Sequence, residues 1–110
     1  MLFTVTTKQI NVIFRAWKSG KIEADKRILD TMYTMVRNQG RDGSASLLER
    51  MDRGIRGAID AIFSGDFARA QECIDAFAAA DADSRREQER IAADAARYAA
   101  MWAAEEVACA

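Results

Sequence analysis

Apolar residues recur along this chain at three- and four-residue spacing, the pattern of helices with one buried stripe rather than of strands. Ile10, Ile13, Phe14 and Trp17 form the first stripe, on a helix predicted from Thr7 to Ser19 and stopped by Gly20. A second helix is predicted from Glu23 to Gln39, with Leu29, Met32, Met35 and Val36 inward and Gly40 as its stop. The polar run GRDGSAS, Gly40 to Ser46, reads as the clearest loop. A third helix, Leu47 to Ser64, carries Leu48, Met51, Ile55, Ile59 and Ile62. Gly54 and Gly57 weaken its middle by about 1 kcal/mol each and let another backbone come close. Asp66 is suited to cap a fourth helix that uses Phe67, Ala70, Ile74 and Phe77. A fifth helix, from about Arg85 onward, aligns Ile91, Ala95, Tyr98 and Trp102.

Capping signals punctuate these stripes. Thr6-x-x-Gln9, Ser46-x-x-Glu49 and Ser84-x-x-Glu87 each match a capping box, and Val5 and Ile10 flank the first as a hydrophobic staple. No glycine or proline follows Gly65, so the fourth and fifth helices would be continuous on backbone grounds alone. A rod of about 40 residues would reach about 60 Å, too long for a domain of this size to cover. Asp81, Asp83 and Ser84 offer capping side chains, and a break is predicted there.

The turn WKSG, Trp17 to Gly20, returns 45 positions later as IFSG, Ile62 to Gly65. Aligning the two glycines puts Ile10 on Ile55, Phe14 on Ile59, Ala16 on Ala61 and Trp17 on Ile62. Beyond the turn, Ile22 meets Phe67, Ile28 meets Cys73, Leu29 meets Ile74, Asp30 meets Asp75 and Met32 meets Phe77. Each segment reads as a helix, a Ser-Gly stop and a returning helix, an αα-hairpin. The run Gly65-Asp66-Phe67-x-x-Ala70 resembles the turn inside a tetratricopeptide hairpin. The repeat period of about 34 residues is missing, so that resemblance implies no peptide binding. The predicted fold is therefore all-α: one domain, residues 1–110, forming a compact five-helix bundle. It comprises two similar hairpins, about 7–39 and 47–80, and an alanine-rich C-terminal helix, about 85–108.

Composition agrees with that class. Half the residues are apolar, 30% are charged and proline is absent, which suits an ordinary helical core. The N-terminal MLFTVTTK is too short an apolar run for a signal peptide or a membrane span, so the expected location is cytoplasmic, with no membrane partner. Two cysteines, Cys73 and Cys109, make neither a disulfide framework nor, without histidine, a zinc set. A disulfide between them is one reading and two reduced thiols the preferred one.

The net charge of −1 conceals an asymmetry. Residues 1–43 hold eight basic residues against four acidic ones, and residues 44–110 hold eight against thirteen. Lys18, Lys21, Lys26 and Arg27 cluster around the first turn, with Arg37 and Arg41 at the end of the next helix. They form a candidate charged partner surface, and phosphate binding would need such a cluster. The acids Glu23, Asp25 and Asp30 dilute it, and the turn lacks helix-turn-helix spacing, so nucleic acid ranks behind protein as its partner.

Catalytic chemistry has little to stand on. A nucleophile needs an adjacent base, and histidine, the usual one, is absent. No Gly-rich phosphate loop occurs, so the reading is non-enzymatic and without cofactor or metal. The last helix carries a second, small-residue face of Ala92, Ala96, Ala100, Ala103 and Val107, a candidate interface for a partner helix or a second copy. A small motif-free helical chain is similar in type to the inhibitors of bacteriophages and mobile elements, anti-CRISPR proteins among them. That resemblance implies a protein-binding module that regulates or blocks a larger host complex by covering its surface. The alternatives are a small DNA-binding regulator using the basic first hairpin, and a self-associating helical subunit.

Overall fold

A computed structural model describes residues 3–39 and 44–109, with side chains as far as Glu106 at the C-terminal end. All the described regular structure is helical: α1 (Thr7–Lys18), α2 (Lys26–Arg37), α3 (Ala45–Phe63) and α4 (Phe67–Cys109). The helices number four, because the predicted fourth and fifth are one continuous rod of 43 residues.

The predicted break fails for a reason visible in its side chains. Asp81 and Asp83 turn sideways to arginines instead of capping backbone N–H groups. Asp81 Oδ2 lies 3.2 Å from Arg27 Nη1 and 3.3 Å from Arg85 Nε. Asp83 accepts from Arg50 Nη1 at 2.9 Å and pairs with Arg86. With its capping groups engaged elsewhere and alanine abundant, the helix propagates through Ser84.

At 1.5 Å per residue α4 is about 64 Å long, and it sets the longest dimension of the molecule, 68 × 26 × 19 Å. The radius of gyration is 18.5 Å, against about 13 Å for a compact domain of this length. The predicted compact bundle is thus a small helical body with an arm.

The repeated turn is the same turn in three dimensions. Gly20 and Gly65 both take φ +75°, a conformation that a Cβ disfavours. Gly20 N–H donates to the Trp17 carbonyl and Lys21 N–H to the Ala16 carbonyl, both at 3.0 Å. Gly65 N–H donates to Ile62 at 3.0 Å and Asp66 N–H to Ala61 at 2.9 Å, so each stop is a Schellman motif. The residue after each glycine decides how soon the next helix begins. Asp66 closes the turn and also accepts the Arg69 N–H at 3.1 Å, so α4 starts at once. Lys21 has no acceptor to offer, and α2 waits for Asp25, which accepts the Arg27 N–H at 3.0 Å. The predicted start of the second helix at Glu23 is corrected accordingly.

Other caps divide similarly. The Thr6–Gln9 box forms in full, at 3.2 and 2.8 Å. Ser44, rather than Ser46, caps α3 through the Leu47 N–H, so the helix begins two residues earlier than predicted. Gln39, at φ 61°, takes the left-handed position assigned to Gly40; residues 40–43 lie outside those described.

α3 and the first half of α4 pack antiparallel along their length, while α1 rests on α2 and α3. The core contains Ile10, Ile13, Leu29, Met32, Ile55 and Phe77, together with Phe3 from the extended N-terminal segment. Burial repeats across the 45-residue register at Ile10/Ile55, Ala16/Ala61, Leu29/Ile74 and Met32/Phe77. It departs at Phe14, half-buried and edge-on to Tyr33 at 6.3 Å where Ile59 is buried, and at Ile22 and Ile28, buried where Phe67 and Cys73 are half-buried. The close approach expected at the helix glycines is present. A Cβ at Gly54 would lie 3.0 Å from the Cys73 carbonyl oxygen, and one at Gly57 would lie 2.7 Å from Cys73 Sγ.

Candidate functional site

The half of α4 beyond the body is the most exposed part of the described structure. α3 begins at Ala45, alongside Ser84, Glu87 and Ile91 of α4. Past that point no described element lies over the helix, and every described residue from Ala95 to Glu106 is exposed.

The stripe on this arm is not a separate feature from the core stripe. Phe67, Ala70, Ile74, Phe77, Asp81, Ser84, Gln88, Ile91, Ala95, Tyr98, Trp102 and Glu105 follow alternating three- and four-residue steps without a skip. That is the spacing of a coiled-coil seam, with the polar Asp81, Ser84 and Gln88 between its two apolar parts. Its first members are packed against the body and its last stand in solvent. Ile91 is 56% exposed, Tyr98 58% and Trp102 67%, with Met101 beside them at 55%. Aliphatic and aromatic residues of this size normally find cover, and a contiguous uncovered patch marks an interaction surface.

The predicted small-residue face lies on the same arm. Ala92, Ala96, Ala100 and Ala103 are all exposed. The Val107 side chain lies outside those described. The bulky stripe of Ile91, Tyr98 and Trp102 is likewise exposed.

The basic surface is only partly a surface. Lys18, Lys21, Lys26, Arg27 and Arg37 are exposed, while Arg41 lies outside the described residues. Lys21 Nζ sits 4.8 Å from the centroid of the Phe67 ring, a cation–π contact that ties the first turn to the start of α4. Arg27 is bound to Asp81, whose side chain is only 8% exposed. Arg37 lies ten residues along α2 from Arg27, about 15 Å away. Of the five described charges, Arg37 thus stands apart from the four around the first turn, and Lys21 and Arg27 are engaged within the protein.

Further ties hold the body. Gln71 clasps the Glu23 peptide from both sides, accepting its N–H and donating to its carbonyl, each at 2.7 Å. Asp52, buried in α3, pairs with Arg56 at 2.8 Å and accepts the Thr4 N–H at 3.4 Å, which anchors the N-terminal segment. The hydrogen bond from Arg50, above all, holds the Asp83 carboxyl below its ordinary range. Burial raises the Cys73 thiol, opposed by the nearby Arg69 and assisted by Glu72. Cys73 and Cys109 stand 36 residues apart on one helix, about 54 Å. A disulfide brings Cα atoms within about 7 Å, so these two cannot bridge within a chain.

The concave spaces are grooves open to solvent. One of about 790 Å³ lies beside the first turn over Phe67, Gln71 and Asp75. Another, of about 570 Å³, is crossed by the Arg27–Asp81 pair between α2 and α4. Among the described residues no group of three or more cysteine, aspartate or glutamate side chains is placed to hold a metal ion. No described helix is long and apolar enough to cross a membrane. No family model, curated protein or solved structure matches the chain.

Proposed function

We propose that this chain is a protein-binding module that works through the projecting half of α4. Its mode of action is occlusion of a partner's surface, as in the regulators and inhibitors that small helical proteins of this type resemble. The observation that carries the reading is the uncovered stripe of Ile91, Tyr98 and Trp102 on a helix continuous with the one packed in the body. Aromatic residues on such a stripe are the usual anchors of helix-in-groove recognition. The engagement of Lys21 by Phe67 and of Arg27 by Asp81 favours protein over nucleic acid as the partner.

The test compares two baits in affinity capture with mass spectrometry, the wild-type chain and Ile91→Glu/Trp102→Glu. Proteins retained by the first and lost by the second are the expected result. Identical retention by both baits refutes binding through the arm. A gel shift on DNA that is steeply salt-dependent and requires Lys21 and Lys26 would promote the DNA-binding reading instead.

A further inference from the structure

We infer that the groove between the C-terminal ends of α1 and α3 is a binding site for a small organic carboxylate with a compact apolar body. The groove encloses about 380 Å³; Val12, Ile62, Phe63 and Phe67 supply its apolar lining, and Arg15 and Lys21 its charge. It lies on the body, with Phe67 about 42 Å along α4 from Ala95, so the site is independent of the role proposed for the arm.

Phe63 is the most exposed large apolar side chain among the described residues, at 73%. The turn that follows it does not require a phenyl ring. In the 45-residue register the equivalent position is Lys18, and both Ser-Gly stops form the same hydrogen bonds. Nor is Phe63 a single apolar residue on a polar surface, which would need no explanation. Val12, Ile62 and Phe67, each half-buried, line the same concavity. An apolar group seated there would remove from water a surface that the chain itself leaves wet.

The charge of the groove is of one sign. Arg15 and Lys21 line it and no carboxylate does. Among the described residues neither forms an ion pair, unlike Arg27, Arg50 and Arg56. Arg15 donates through Nε to the Asn11 carbonyl at 3.5 Å, which leaves the two outer nitrogens of its fork for a ligand. Lys21 Nζ rests 4.8 Å from the Phe67 centroid, and a neutral ring holds an ammonium in place without cancelling its charge. Apolar walls beside two unneutralised cations suit a carboxylate carried on an apolar body.

Size and surroundings narrow the class. The volume falls at the low end of the range of about 300–1,000 Å³ for small-molecule sites, enough for one ring or a short branched chain. A nucleic-acid strand matches less well, because the positive charge comes from the first hairpin alone. The second hairpin carries Asp60 and Asp66 in the places of Arg15 and Lys21, both exposed, and phosphates running past the groove would meet them.

The test is a titration of the full chain with phenylpropionate, followed by amide chemical shifts in heteronuclear NMR. Shifts centred on Arg15, Lys21, Phe63 and Phe67 are expected, with a dissociation constant in the millimolar range usual for a ligand of about ten non-hydrogen atoms. Phenylpropionamide keeps the ring and loses the charge, and should bind roughly tenfold more weakly for want of two exposed charge contacts. Arg15→Gln/Lys21→Gln should weaken the acid to the level of the amide and leave the amide unchanged. Phe63→Lys installs the residue of the matching turn, so folding and melting should hold. It adds a cation, yet should weaken binding by roughly tenfold through the lost apolar contact. No shifts at the groove with about 10 mM probe, or equal shifts along the arm, overturn the site. Equal binding of acid and amide overturns the role of the two cations. Binding that Phe63→Lys strengthens overturns the apolar wall and leaves simple charge attraction. A short oligothymidylate that binds more tightly, with shifts extending over Lys18 and Lys26, overturns the small ligand in favour of nucleic acid.

Discussion

The contact between α3 and α4 can be taken apart at its two glycines, which differ in what stands opposite them. Replacing Gly57 with alanine gains about 1 kcal/mol of helix propensity. The new methyl lies 2.7 Å from Cys73 Sγ, about 1 Å inside ordinary contact. Overpacking of a close helix contact costs about 1–3 kcal/mol, so Gly57→Ala should lower stability by about 1 kcal/mol net. Cys73→Ala removes the half-buried sulphur, at a further cost of about 1 kcal/mol. In the double variant the clash is gone while the propensity gain remains. Gly57→Ala/Cys73→Ala should therefore match the wild type, which is a coupling of about 2 kcal/mol.

Gly54 supplies the control. A methyl there meets the Cys73 carbonyl oxygen and Phe77 Cβ at 3.0 Å and the Phe77 nitrogen at 3.3 Å. Those atoms belong to the α4 main chain or sit directly upon it, and removing the Cys73 sulphur moves none of them. Gly54→Ala should stay destabilising in a Cys73→Ala background, with coupling within about 0.5 kcal/mol of zero. Urea unfolding followed by circular dichroism gives the four stabilities for each cycle. Equal coupling at the two glycines, or none at Gly57, would refute this packing.

Ile59→Ala should cost about 2–5 kcal/mol, and Phe14→Ala clearly less because its ring is half-buried, a difference that thermal melting will resolve. Asp83 has a lowered folded pKa, chiefly through Arg50. Its contribution is complete above the ordinary carboxylate value of about 4 and is lost as pH falls through the lowered one, so Asp83→Asn should flatten acid unfolding in that window. Burial raises the pKa of the Cys73 thiol above its ordinary value. In a Cys109→Ser background it should alkylate more slowly than a free cysteine, by mass spectrometry, and a rate equal to the free amino acid would contradict its placement.

The sequence discloses those parts of the fold that depend on neighbours a few positions away. The Thr6–Gln9 box, both Ser-Gly stops and the Asp66 cap all stand where local pattern puts them. Two errors arise where one residue can serve two purposes. Asp81, Asp83 and Ser84 read as helix caps, but arginines on α2, α3 and α4 take the carboxylates first. Glu23 reads as a helix start, but the position after Gly20 carries Lys21, which has no acceptor for the opening N–H groups. The candidate site was legible as a stripe and illegible as a surface. What exposes Ile91, Tyr98 and Trp102 is the mismatch in length between α3, about 28 Å, and α4, about 64 Å. The signal that would have revealed it is the three- and four-residue spacing that continues from Phe67 to Trp102, with no glycine or proline to end the helix.

That mismatch also leaves the arm attached end-on to a packed helix. An isolated helix must first meet the cost of nucleation. Here the nucleus is supplied by the half of α4 packed on α3, and the arm needs only propagation through alanine-rich sequence. The stripe is thereby set in one rotational phase, fixed by Ile74 and Phe77 in the core, before any partner arrives. Preorganisation of this kind removes part of the ordering entropy that otherwise opposes association. Its contribution can be measured without altering the stripe itself. Two glycines introduced at Glu89 and Ala93, exposed and outside both faces, would leave Ile91, Tyr98 and Trp102 in place but uncouple the arm from the body, at about 1 kcal/mol of helix propensity each. Association through the arm should then weaken by at least tenfold while the melting of the body holds. Unchanged association would show that the stripe alone suffices and that its attachment to the core does not matter.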